Sequence, residues 1–444
     1  MKTKPLAGQD LRNIRLDLAP YFIQELDQLG DQSHTDSAEL AVALLTDAQR
    51  GRVSDLHLEP RANGTRLRFR IDGALSDVMD IPHDQARLLA NQIKALAGVD
   101  PVARYTARDS RATVEVDGAN MDFRLAFMPC HHGESLVVRL LDPQRLERSL
   151  EELGLSAEKL SEMEDWLEHA SGMLLAVGPT GGGKTTTIYA LLHELKFANR
   201  AIVSIEDPVE YQVDGITQIK VDELHGVDFA GAVKAVLRHD PDFLVVGEIR
   251  DAMSAQSALN AAISGRVLLS TLHCRDAIGT VTALRSWGLP DHEIAEVLSM
   301  VVAQRLVRKL CPHCRRKAKA TAHEAKWLEA MHLTVPSTVW TPVGCKHCQN
   351  LGYYGRTGLF EVWKLDSDDY DLLVDHATER TLREYGARKS RQYLLHDAHD
   401  KVAEGITSIA EIRAAGGLAV PHSVLSKALL HSHTRAPVPE PVQE

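Results

Sequence analysis

The sequence predicts an α/β protein: a core of short parallel strands built around a glycine-rich loop, preceded by a smaller α+β unit and followed by a four-cysteine element. Three observations predict it. Short continuous apolar runs, MLLAV (173–177), AIVSI (201–205), FLVVG (243–247) and VLLST (267–271), alternate with helix-like stretches, as strands covered on both faces do. The first run leads into AVGPTGGGKTTTIYA at 176–190. An earlier region shows period-two alternation instead, the mark of half-buried strands.

Length and composition set limits on all of this. A chain of 444 residues is long enough for roughly two to four domains. With 44% hydrophobic and 25% charged residues, its composition is that of an ordinary globular protein. A net charge of -11 and a pI near 6.0 argue against a surface built throughout to hold nucleic acid, because the phosphate backbone would repel it. No leader segment is expected, and no apolar run approaches the ~18 residues of a spanning helix. Any membrane role is therefore expected to run through partners.

Taken in order, residues 1–35 are polar and weakly patterned and are expected to form an arm or partial helix. Residues 36–145 form the α+β unit. DSAELAVALLTDAQR has helical spacing, with Asp36 and Ser37 as cap candidates. SDLHLEP and TRLRFRIDGAL alternate, so that Leu67, Phe69 and Ile71 face inward while Arg66, Arg68 and Arg70 make a basic outer face. The helix DQARLLANQIKALAGV precedes strands at ATVEVDG, MDFRLAFMP and SLVVRLL. The charged stretch DPQRLERSLEELGLS reads as a hinge into the core, residues 146–305. Residues 306–365 carry the cysteine pairs, 366–415 a helical segment, and 416–444, ending TRAPVPEPVQE, a tail expected to be disordered.

The loop fits G-x-x-x-x-G-K-[ST] through Gly178, Gly183, Lys184 and Thr185. Around those positions stand Pro179, Thr180, Gly181, Gly182 and Thr186. Glycines let several backbone N–H groups turn inward on a phosphate, and the helix that follows adds its positive dipole end. Lys184 would reach the β- and γ-phosphates of ATP, and Thr185 would hold Mg²⁺. Four fixed positions match by chance in roughly one or two such chains per hundred, and here a strand before and a helix after are also met.

A phosphate cradle needs carboxylates beside it. FLVVGEIRD delivers Glu248, the candidate for activating water, next to Arg250 and Asp251. SIEDPVE delivers Glu206, Asp207 and Glu210 as candidates for the metal shell. VLLSTLHCRD places His273 at the carboxyl end of a strand, where open α/β sheets bind ligands and where an imidazole could sense the γ-phosphate. Each group alone reads equally well as a solvated turn, and a single histidine is more often structural; the loop tips the balance. Cys311-x-x-Cys314 and Cys345-x-x-Cys348 suit a closed structural Zn²⁺ site with no open position for chemistry. The long segment between the pairs must carry an inserted element, with HEAKWLEAMH as its helix. Cys130 and Cys274 are expected to be inert.

GPTGGGKTTTIY, SIEDPVEY, LRHDPDFLVVGEIRD and STLH resemble, in order and spacing, the Walker A, Asp box, Walker B and His box of the type II secretion and type IV pilus assembly motor ATPases. SDLHLEP, RFRIDG and HGESLVVRLL resemble that family's N-terminal motor-associated domain, and VAQRLVRKLCPHC with GCKHCQNLGYYGRTGLFEV its metal-bearing domain. The resemblance covers roughly residues 36 to 415. It implies a RecA-like P-loop NTPase core and a homo-hexamer that hydrolyses ATP. It further implies a cytoplasmic protein, peripheral at the cytoplasmic face of the inner membrane, passing force to a platform protein there. It also gives Arg124 and Arg139 the role of reaching a phosphate, in the same subunit or its neighbour.

Two departures from the family pattern bear on this. Arg266 stands in ISGRVLLS where the family usually has a histidine, as a substitute phosphate or interface contact or a cause of slow turnover. With about 35 residues before the first matching helix, the further N-terminal docking domain of many relatives is expected to be absent. Two other readings stay open: a RecA-like nucleic-acid translocase using the stripe Arg66, Arg68 and Arg70, and a weakly hydrolysing, nucleotide-gated regulator suggested by Arg266. Few aromatics and an acidic balance weigh against the first, so nucleic acid is not an expected partner.

Overall fold

Each of the two hydrophobic periods builds its own sheet. The computed structural model describes residues 18–28, 38–101, 108–116, 118–141, 148–196, 200–222 and 225–418. The chain divides into one unit of Met1–Pro143 with Cys345–Asn350, and a second of Gln144–Gly344 with Leu351–Glu444.

In the first unit, period-two segments form β1 (Val53–Arg61), β2 (Gly64–Ile71), β3 (Ala74–Ile81), β4 (Arg108–Val116), β5 (Ala119–Cys130) and β6 (Gly133–Leu141). They pair antiparallel in the order β3-β2-β1-β6-β5-β4. Leu67, Phe69 and Ile71 are buried as their alternation requires, with Leu56, Phe123, Leu125 and Val138 on the same side. The helices Glu39–Arg50 and His83–Leu96 pack over the strands.

The basic stripe differs from its expected exposed state. Arg66 pairs with Asp77 and Asp80, Arg68 with Glu59 and Asp77 at 3.2 and 2.8 Å, and Arg70 with Asp55 at 3.5 Å. Acids on neighbouring strands neutralise each arginine in turn. The N-terminal arm is helical over Pro20–Gln28, with Phe22 fully buried and its N–H donating to Asp47 at 2.8 Å. The helix at 39 starts after Ala38 with no side-chain cap. Asp36, Ser37 and the tail after 418 lie outside the described residues, as does 142–147, the first part of the expected hinge.

In the second unit the apolar runs become β7 (Met173–Val177), β8 (Ile202–Glu206), β10 (Phe243–Val246) and β11 (Val267–Leu272), joined by β9 (Thr217–Lys220) and by a long strand, β12 (Leu298–Leu310). The small pair β13 (Arg316–Ala318) and β14 (Val339–Thr341) lies outside this sheet, and β15 (Tyr353–Lys364) closes its edge. The order is β15-β12-β7-β11-β10-β8-β9, parallel throughout except that β15 runs against β12. β7, β8 and β10 are buried at every residue, which is why they read as unbroken apolar runs. The inserted helix between the cysteine pairs is present at Ala322–Ala330, capped by Thr321 with Glu324. The helices of the segment after 366 bury Leu373, Leu382, Leu394, Leu395, Val402 and Ile412. No described helix is long and apolar enough to cross a membrane.

Candidate functional site

Parallel register brings the carboxyl ends of four strands abreast. Val246 of β10 stands level with Ile205 of β8 and with Ser270 of β11, and Leu272 of β11 with Val177 of β7. The chain order reverses beside β7, since β12 and β11 flank it. In an open sheet this is the place where a crevice forms. Backbone bonds beyond the strands carry the alignment into the loops: Gly247 N–H to Ile205 O (2.9 Å), Ile249 N–H to Thr271 O (3.0 Å) and Gly178 N–H to Leu272 O (3.2 Å).

β7 runs straight into Gly178, and the helix Lys184–Lys196 starts at the lysine. Gly181 and Gly183 have φ of 73° and 89°, the left-handed region that side chains resist. Pro179, Thr180, Gly181 and Thr185 are exposed on the outside of the loop, while Thr186 is half-buried. Lys184 folds back over the loop: its Nζ donates to Gly178 O (3.0 Å) and Pro179 O (3.3 Å) and lies 3.2 Å from His273 Nδ1. Burial pushes its pKa below the ordinary lysine range, and the charge of Glu248 opposes that shift.

The other strand ends meet this lysine. His273 Nε2 is 2.6 Å from Glu248 Oε1, Arg250 Nε donates to Glu248 Oε2 at 2.7 Å, and an Arg250 Nη reaches Asp207 at 3.2 Å. His273 Nδ1 also lies 3.2 Å from Gly178 O, so the imidazole sits among the Lys184 ammonium, that carbonyl and the Glu248 carboxylate. Lys184, His273, Glu248, Arg250 and Asp207 thus form one continuous polar chain across the ends of β7, β11, β10 and β8.

Other sequence-predicted residues have different surroundings. Glu206 is only 8% exposed: Tyr189 donates to one oxygen at 2.8 Å, and Ser204 (2.7 Å) and Gln218 (2.9 Å) donate to the other. Its carboxylate is spent on tying the helix after the loop to β8. Burial, then the charge of Glu206, raises the Tyr189 pKa, with half-buried Glu210 adding to it. Asp251 caps the helix Ala252–Ile263 through Ser254. Arg266 precedes the amino end of β11, the end opposite His273, roughly 20 Å away along the strand. There it pairs with Asp240 at 3.5 Å and donates to Ser264 O. A phosphate contact from Arg266 to its own loop is therefore corrected by strand direction. Arg124 and Arg139 belong to the first unit, opposite each other on β5 and β6, and Arg139 Nε donates to Asp55 at 2.9 Å.

Sequence reasoning also missed Gln304, a buried amide on β12 whose side chain reaches both the loop and the helix after it. Its signal was a lone amide in the apolar stretch VVAQRLV.

The four sulfurs of Cys311, Cys314, Cys345 and Cys348 lie within 4.8 Å of one another, two of the residues buried and two half-buried. Cys345 and Cys348 Sγ are 3.8 Å apart, close to the ~3.8 Å edge of a tetrahedron with Zn–S bonds of about 2.3 Å. N–H groups of Gly344 and Cys345 point at sulfur, at 3.3 and 3.2 Å, which suits thiolates. The set fits a closed tetrahedral metal site.

The chain is similar to known proteins over most of its length. The family described as Type II/IV secretion system protein matches residues 31–414. The chain is 35% identical over 395 residues to the type II secretion system ATPase E of Vibrio cholerae, covering 89% of this chain and 78% of that protein. It is 36% identical over 395 residues to the type II secretion system protein E of Pseudomonas aeruginosa, with the same coverage. Among solved structures, the ATPase DotB of Legionella pneumophila superposes with a TM-score of 0.63 at 18% identity, over 86% of this chain and 97% of that one. The pilus retraction motor PilT with bound ADP superposes with a TM-score of 0.57 at 21% identity, over 84% and 96%. On its loop, its strand order and this match, the chain belongs to the Type II/IV secretion system protein family, as a P-loop ATPase.

Proposed function

We propose that this ATPase works as a homo-hexameric motor, coupling ATP hydrolysis to assembly of a pilus or pseudopilus fibre through a platform protein at the cytoplasmic face of the inner membrane. The observation that carries the reading is the polar chain from Lys184 through His273 to Glu248, set beside a glycine loop. A nucleotide's phosphates take over the bonds that Lys184 makes to Gly178 O and Pro179 O. Withdrawal of Lys184 frees His273 to turn toward the γ-phosphate, and one oxygen of Glu248 to accept a proton from water. Thr185 and Asp207, both exposed, are the candidates to hold Mg²⁺. Arg124 and Arg139 supply positive charge to a phosphate, and the four cysteines hold a structural Zn²⁺. The nucleic-acid alternative is disfavoured because acids already neutralise Arg66, Arg68 and Arg70.

The test is phosphate release by purified protein as its concentration is raised, beside Glu248→Gln. Specific activity that climbs with concentration, with the variant binding ATP but slowed roughly 10²–10⁴-fold, supports a general base working in an assembly. Wild-type turnover in Glu248→Gln would remove Glu248 from that role.

A further inference from the structure

Apart from Gln304 and Arg305, the central stretch of β12 is apolar: Val301, Val302, Ala303 and Val307 are buried, and Gln304 is only 1% exposed. A buried amide costs free energy unless both its ends find partners. Gln304 finds both in the nucleotide site. Thr187 Oγ1, one turn into the helix after the loop, donates to its Oε1 at 2.8 Å, and its Nε2 donates to Gly182 O at 2.8 Å. The parallel register explains the reach: Ala303 stands level with Val177, so Gln304 lies alongside Gly178.

Two of the loop's glycines answer to this residue as much as to a phosphate. A Cβ on Gly178 would lie 2.4 Å from Gln304 O, and one on Gly183 would lie 3.0 Å from Gln304 Nε2. The same backbone oxygen accepts from Arg305 Nη1 at 2.9 Å, and the other Nη of Arg305 donates to Arg275 O, two residues past His273. One dipeptide thus braces the phosphate loop from behind and links it to the loop carrying the histidine.

We propose that Gln304 is a positioning residue for nucleotide binding. Its amide holds the Gly182 carbonyl back so that the loop's N–H groups face the phosphates, and Thr187 fixes which way the amide points. The inference rests on the loop being a nucleotide site. Pre-organising the cradle acts equally on bound substrate and transition state, so its loss falls on KM and leaves kcat nearly unchanged.

The experiment compares wild type, Gln304→Met, Gln304→Glu, Thr187→Val and the Gln304→Met/Thr187→Val double variant by titration with a fluorescent ADP, steady-state ATP turnover and thermal unfolding. Gln304→Met is expected to weaken ADP and raise KM by roughly tenfold, the worth of one or two hydrogen bonds, with kcat within about twofold. Thr187→Val should add little on top of it, because both act through one amide. Gln304→Glu should be weaker still, since a carboxylate beside Gly182 repels phosphate, and added salt should narrow that extra loss. ADP affinity at the wild-type level in folded Gln304→Met, or strictly additive losses in the double variant, overturns the proposal. So does a drop in unfolding temperature with affinity unchanged, which would make Gln304 mere packing. If Gln304→Met does not fold, unchanged affinity in Thr187→Val overturns it instead. Failure of the wild type to bind ADP would sink the nucleotide reading and this inference with it, whereas a wild type that binds beside an unaffected variant sinks this inference alone.

Discussion

Glu361 is only 5% exposed on β15, where the N–H groups of Ala277 and Leu394 donate to its two oxygens at 3.3 Å each. Burial, reinforced by the charge of Asp276, pushes its pKa from 4.5 to about 7, against the opposing pull of the Leu394 N–H and then of Arg383. A raised carboxylate pKa means that the folded state holds a proton the unfolded chain has released. Glu361 therefore contributes most stability below pH 4.5, and loses it as pH rises toward about 7. Between pH 5 and 8 that loss comes to roughly 2–3 kcal/mol at 1.36 kcal/mol per pKa unit. Glu361→Gln keeps the shape and cannot titrate, but its NH2 must face one of the two N–H donors that the carboxylate satisfied. Its midpoint should therefore start below the wild type's near pH 5 and gain on it by several degrees toward pH 8, at roughly 2 °C per kcal/mol for a unit of this size. Thermal unfolding of both proteins across pH 5 to 9 decides it. A difference in midpoint that stays flat with pH would mean that Glu361 does not titrate in this range, and the argument from burial would fail.

Two further outcomes are expected. Lys184→Ala should lose nucleotide affinity by more than about 100-fold in the same ADP titration, since it removes the one charge inside the cradle, and its unfolding temperature should hold because the lysine pays a desolvation cost in the fold. Cys348→Ser should take bound zinc from about one per chain to near none by elemental analysis and lower the unfolding temperature by several degrees, because structural metal affinity is folding energy; zinc content unchanged in the variant would contradict the assignment.

Legibility in the sequence followed how local the determinants were. The loop could be read because its function is written into contiguous residues: glycines with positive φ, then the lysine, then a helix. The buried strands β7, β8 and β10 could be read because covered strands need apolar residues at every position. β12 could not: LSMVVAQRLVRKL has apolar residues at both helical and strand spacing, and only its neighbours decide. Gln304 was hidden because its partners are 117 and 122 residues away. Glu206 and Asp207 look alike in sequence, but side chains alternate at the end of a strand, so one turns inward to Tyr189 and the other outward to Arg250. Arg266 and His273 flank the same strand, and its direction alone separates them.

The hydrogen bonds just past the strand ends have a consequence for how this sheet can be altered. Most strands resist slipping because a shift of one residue would turn their oily side to water. β7, β8 and β10 have no wet side, so exposure to water does not choose their register. Part of what holds them in step is the set of backbone bonds made by Gly178, Gly247 and Ile249 at one end, answered at the other by those of Asp242, Phe243, Val267 and Leu268. Gly178, Gly247 and Ile249 lie in the loops that carry the nucleotide chemistry, so the site works as a set of clasps for the sheet beneath it. Insertions or deletions there would remove the clasps at that end of the sheet, so a change aimed at activity alone would reach the fold as well.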